Sequence, residues 1–199
     1  MSPVDPFVPG RQPAGRAAAP GRLAYLQSFA NTFWDLDAGG VDQWADVAGY
    51  RGWLLRLGFG AGGTGERERV QAVEVREALR ALARRNHDDV AVIGAVPELA
   101  ALDRAAREIP VALRFDPAPR HEALGDGHAA AVGLVLGVLA EAMRDGSWRR
   151  MKACPGPHCG WVFHDASRNH SSQWCSMQIC GNRVKGRRFR TRQSEVVGQ

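Results

Sequence analysis

The residues best suited to chemistry in this 199-residue chain are its four cysteines, and all lie within 27 residues of one another. They read Cys154-x4-Cys159-x15-Cys175-x4-Cys180, and no cysteine precedes Met151. Four thiolates in two close pairs are what a tetrahedral Zn²⁺ ion takes: each pair supplies two sulfurs from one tight turn, and the intervening arm brings the turns together. Gly160 and Gly181 directly follow the second cysteine of each pair, where a glycine lets the backbone turn tightly beside the sulfurs. Four cysteines close the coordination shell, so the expected role is scaffold; a catalytic zinc keeps one position open. Two disulfides or four free thiols are the alternatives. Disulfides require an oxidising compartment. Met1 to Gly21 has no lysine and no long apolar core of the kind a secretory signal carries, which gives a cytoplasmic expectation and favours metal. His158, His164 and His170 share the window, and each is an alternative ligand to a cysteine.

Charge is distributed unevenly around these cysteines. From Trp148 to Gln199 there are ten basic residues against Asp165 and Glu195, a net of +8, whereas residues 1–147 carry a net of −3. The sequence pI near 9.5 therefore hides an acidic body with a basic tail. Concentrated positive charge attracts polyanions in a salt-dependent way. After Cys180, Asn182 is a candidate helix N-cap. Arg183, Arg187 and Arg190 follow on one stripe, with Lys185, Arg188 and Arg192 on the next. These six, with Arg168 in the preceding loop, are the candidate nucleic-acid contacts, because arginine donates bidentately to phosphate and guanine.

The elements needed to hold this arrangement are short. Trp161 to His164 alternates as a strand does, and Asp165 to Ser172 is turn-forming. The expected order is knuckle, hairpin, knuckle, helix, a treble-clef-like plan.

The run Cys154-Pro-Gly-Pro-His-Cys159-Gly-Trp-Val-Phe-His-Asp-Ala-Ser-Arg-Asn, followed by Trp174-Cys175-Ser-Met-Gln-Ile-Cys180-Gly181-Asn182-Arg183-Val-Lys185, resembles the CGNR zinc finger. The segment Leu23-Ala-Tyr-Leu-Gln-Ser-Phe-Ala-Asn31-Thr32 resembles the opening helix of the ABATE domain that usually precedes that finger. The resemblance implies a predicted stress-induced transcription regulator that binds DNA. One departure stands out: the positions before Trp174, often basic in the family, are Ser171, Ser172 and Gln173 here.

Ahead of the finger, Met1 to Gly21 holds five prolines and is expected to be a flexible Pro/Ala-rich arm. Residues 22–147 read as one helical domain. Apolar stripes mark helices from Leu23, from Asp42, from Glu66 to Arg85 and from Pro97 to Glu108. A small β-hairpin is expected over Val111 to Leu124. Ala129 to Ala140 has no polar side chain and is shorter than a membrane span of ~20 residues, so it reads as the central buried helix. The finger then occupies 148–192, with a tail at 193–199. The fold class is mainly α: a helical bundle with a hairpin, plus a small zinc finger with its own core.

No catalytic constellation is visible, and an enzyme is not expected. His121 and His128 have no nucleophile partner in the sequence. Asn31 and Thr32, polar on an apolar helix, and Arg114 in the hairpin are the candidate ligand-binding residues; packing hydrogen bonds are the alternative for the first two. The expected protein is a helical sensor-like domain joined to a DNA-binding finger with structural Zn²⁺. A small-molecule or protein effector would act on the helical domain, and no membrane partner is expected. One finger offers few base contacts, so specificity calls for a homodimer or a second module. The alternatives are a zinc-stabilised RNA- or protein-binding adaptor and, behind it, a ligand-binding or enzymatic helical domain.

Overall fold

A computed structural model describes residues 12–34, 40–87, 97–115 and 117–187. Five helices build the body: α1 Leu23–Ala30, α2 Val47–Arg56, α3 Glu66–Arg85, α4 Pro97–Glu108 and α5 Gly127–Asp145. Between α4 and α5, β1 Val111–Arg114 pairs antiparallel with β2 Arg120–Ala123. A second antiparallel ribbon, β3 Met151–Ala153 with β4 Val162–His164, opens the C-terminal module. The chain is mainly helical, as the apolar periodicity requires.

Local chemistry sets the helix ends. Asp46 caps α2 by accepting from the Gly49 amide at 2.7 Å. Glu68 reaches back to the Gly65 amide at 2.8 Å at the start of α3, and Arg84 and Arg85 occupy its last turn, where cations suit the helix dipole. Gly146, with φ at +82°, ends α5 in the left-handed conformation.

The core forms around α5 and α3. Phe29, Trp44, Tyr50 and Trp53 form one aromatic cluster, edge-to-face except for the stacked Tyr50–Trp53 pair, with Phe29 and Trp44 centroids 4.9 Å apart; such pairs add about 0.5–1.5 kcal/mol each beyond the area they bury. By length and composition α5 could cross a membrane, but here Val132, Val135, Val138 and Leu139 are core residues. Its two inner glycines form a notch for the hairpin. A Cβ at Gly137 would lie 2.8 Å from the His121 Cβ, and one at Gly133 would lie 3.0 Å from the Ala123 Cβ.

Two expectations change. The finger was expected to have a core of its own, yet Trp148, Met151, Ala153 and Val162 belong to the same buried cluster as the helices. Only the cysteines and Phe163, flanked by Trp161 and Trp174, form a separate cluster. The ribbon is too small to bury both of its faces, so one face closes on α1 and α3. The N-terminal arm also differs over its described part. Residues 12–16 lie against the finger and α1: Gln12 accepts from Trp161 and from Gln27 of α1, and Arg16 donates to the Cys175 carbonyl.

Candidate metal centre and nucleic-acid interface

The first cysteine pair sits in the turn of the β3–β4 ribbon. The Cys154 amide donates to the Trp161 carbonyl at 2.8 Å, extending the ribbon pairing to the first sulfur-bearing residue. Gly160 takes φ of +61° and packs against Arg80, a position that only glycine fills easily. The expected hairpin therefore contains the first knuckle instead of following it. The second pair sits on a turn of π-helix, Met177–Gly181, which runs into a helix at 182–187. Ser176 caps this turn by accepting from the Ile179 amide at 3.2 Å, so the cap is six residues ahead of the expected Asn182, which is itself helical. A Cβ at Gly181 would lie 2.3 Å from the Met177 sulfur, so glycine there makes room for Met177.

These turns bring Cys154, Cys159, Cys175 and Cys180 together. All four are buried and free, and their sulfurs lie within 4.8 Å of one another. The Cys159 and Cys175 sulfurs are 3.7 Å apart, and those of Cys175 and Cys180 are 3.6 Å apart. Zinc–sulfur bonds of about 2.3 Å in a tetrahedron put sulfurs about 3.8 Å apart, whereas a disulfide needs about 2.05 Å. The cluster thus fits a zinc-finger metal site and leaves the disulfide alternative without support. Hydrogen bonds from Cys159 and Cys175 hold the Cys154 thiol well below its usual range, while those same bonds push Cys159 and Cys175 up. Burial raises Cys180. A bound divalent cation would favour the thiolate form of all four.

His158, His164 and His170 are not in the cluster. His164 extends β4, and burial lowers its basicity. The His170 carbonyl accepts from Lys152. Lys152 and Asp165, 1% and 0% exposed, form a buried pair at 2.9 Å that orders the loop between the knuckles. Asp165 also accepts from the Ser167 amide and hydroxyl and from the Ser172 amide. Its burial opposes ionisation, but the bonds from Ser167 and Lys152 outweigh this and hold the carboxyl below its usual range.

Of the candidate nucleic-acid contacts, Arg183, Lys185 and Arg187 are exposed on the helix at 182–187, and Arg168 is exposed on the inter-knuckle loop. Arg188, Arg190 and Arg192 lie outside the described residues. The candidate ligand-binding residues do not gather at one cavity. Asn31 exchanges two hydrogen bonds with the Val162 peptide unit, and the Thr32 hydroxyl donates to the Phe29 carbonyl. Both side chains tie the helical body to the finger or to itself. Arg114 pairs with Glu122 at 3.2 Å on the exposed hairpin.

The residues most important for holding the finger were not singled out from the sequence. Arg80 is 3% exposed. It donates to the carbonyls of Gly160, Ala30 and Phe33 and pairs with Glu77. Gln27 donates to the Val162 carbonyl at 3.2 Å. Asn86 donates to Trp148 and Met151, and His87 meets Ala153. A signal for Arg76 and Arg80 did exist: they continue the buried stripe of Ala72, Val75, Leu79 and Ala83 along α3.

A profile of the CGNR zinc finger family matches residues 150–193. A profile of the ABATE family, described as "putative stress-induced transcription regulator", matches residues 23–145. No curated protein matches the chain.

Proposed function

Because the chain belongs to the ABATE family and carries a CGNR zinc finger behind that domain, we propose that it is a transcription regulator that binds duplex DNA through the finger. One observation carries this reading: a closed four-sulfur site delivers an exposed basic helix, beginning two residues after Cys180. Cys154, Cys159, Cys175 and Cys180 hold Zn²⁺, which compensates their charge and fixes the two knuckles. Arg183, Lys185 and Arg187 contact backbone phosphates, and any of them that reaches a base edge adds sequence preference. Arg168 extends the basic surface from the inter-knuckle loop. The chain is not an enzyme on this reading.

The helical body is the sensor. An effector, a small molecule or a protein, acts on a finger whose ribbon is already part of the body's core. Its signal must therefore pass through the contacts of Gln27, Asn31 and Arg80, and a hinge between two independent units is not required.

The test is fluorescence anisotropy of the zinc-loaded full chain with a labelled duplex across a salt series. Binding should fall steeply with salt. Arg183→Ala, Lys185→Ala and Arg187→Ala should each reduce the log–log slope by about one where a phosphate contact is lost. A chain that shows no affinity for duplex at low salt but binds structured RNA or a protein would replace this reading with the adaptor one.

A further inference from the structure

The N-terminal segment brings a cation to the finger that charge counting along the C-terminal sequence does not find. Arg16 Nε donates to the Cys175 carbonyl at 3.0 Å, Nη1 to His164 at 3.1 Å and Nη2 to Trp174 at 3.0 Å. Its guanidinium lies 4.6 Å from the Phe163 ring centroid. These bonds fix the guanidinium without neutralising it, since its acceptors among the described residues are peptide carbonyls. No carboxylate pairs with Arg16 among the described residues. Asp165, which begins the adjoining loop, has its charge held by Lys152 at 2.9 Å.

Arg16 borders a shallow open depression with Ser171, Ser172, Gln173, Trp174 and Met177. Two hydroxyls, a side-chain amide and a half-buried indole thus surround a fixed cation that no described carboxylate pairs. That set suits a phosphate: the guanidinium and hydroxyls donate to its oxygens, and the indole offers apolar surface to a sugar or base. The depression is not isolated from the proposed DNA-binding helix. The 3-10 turn Pro13–Gly15 packs against Met177–Gly181, the turn that runs into the basic helix at 182–187.

We infer that this seam between the N-terminal segment and the finger is a phosphate site for the backbone of nucleic acid, with Arg16 as its anchoring cation. The inference rests on the DNA-binding reading above and extends the interface to a segment 159 residues away in sequence. In Ser171, Ser172 and Gln173 the finger itself supplies neutral donors; the charge comes from the other end of the chain.

The experiment uses the zinc-loaded full chain and a labelled duplex of mixed sequence, with zinc content and melting temperature recorded for every variant. Gln173→Glu places a negative charge at an exposed position of the depression and should weaken binding about tenfold or more, because like charges then meet. Gln173→Lys should strengthen it. Arg16→Gln should lower the log–log salt slope by about one. If the wild type binds duplex but Gln173→Glu and Arg16→Gln bind equally well with unchanged slope, the phosphate site is wrong and the DNA reading stands. If the wild type binds no duplex, both fail together. Unchanged duplex affinity of Gln173→Glu, with lost affinity for polyglutamate, would assign the depression to an acidic protein partner and overturn the proposal.

Discussion

The side-chain amide of Asn31 closes a ring of two hydrogen bonds with the peptide unit of Val162. Its Nδ2 donates to the Val162 carbonyl at 2.8 Å, and its Oδ1 accepts from the Val162 amide at 2.8 Å. Asn31 thereby acts as one residue of an extra strand beside β4. The end of α1 and the finger's ribbon are held as one rigid unit.

Asn31→Ala should destabilise the whole protein by about 1–3 kcal/mol, because the buried Val162 amide loses its acceptor while the Val162 carbonyl retains the bond from Gln27. Asn31→Asp should cost at least as much, since it sets a carboxylate oxygen against the Val162 carbonyl. Denaturant midpoints followed by far-UV circular dichroism and by zinc release should shift together. A shift in zinc release alone would show that the two parts unfold separately.

Metal removal should reach beyond the finger. The purified chain should hold about one zinc per molecule. Cys175→Ser should lower the metal content and also the melting temperature of the helical body, because Met151, Ala153 and Val162 sit in the shared core. A fragment of residues 22–147 should be poorly folded for the same reason. A well-folded fragment with a wild-type melting temperature would contradict the shared core.

Lys152→Met should cost about 3–5 kcal/mol, since it leaves the Asp165 carboxylate buried without its cation. Lys152→Met combined with Asp165→Asn should cost clearly less than the sum of the single changes. A double-mutant cycle by urea denaturation measures this coupling. Additive losses would mean that the serine bonds alone hold Asp165.

His128 gives a pH dependence whose sign follows from its position. Its Nδ1 lies 2.8 Å from the Tyr50 hydroxyl, and its Nε2 lies 2.7 Å from the Gln71 side-chain oxygen. Burial lowers its pKa below 6.5, against the attraction of Glu68. A depressed histidine pKa means that the unfolded chain takes up a proton before the folded chain does. Its stabilising contribution is therefore complete above about pH 6.5 and is lost as pH falls toward the folded value. Melting temperature measured from pH 7.5 to 5.5 should fall more steeply for the wild type than for His128→Asn. Equal slopes would remove His128 from the account.

The sequence by itself determined what depends on spacing and on composition. Cys154-x4-Cys159 and Cys175-x4-Cys180 define two sulfur-bearing turns whatever surrounds them. The 3.6-residue periods of α3 and α4 and the unbroken apolar run in α5 likewise fix helices, because local geometry carries the signal. Tertiary structure alone decided how those pieces share a core. The stripe of α3 marks Arg80 as inward-facing but not what it binds, and Gln27 reads as an ordinary polar helix residue. Each becomes structural only when the ribbon presents Gly160 or Val162 carbonyls that need donors. Arg16 is the extreme case: nothing near Pro13 predicts a partner at His164, Trp174 and Cys175. Unsatisfied peptide carbonyls at a tight metal-bearing turn are a property of the folded backbone, so the residues that satisfy them appear only when distant segments meet.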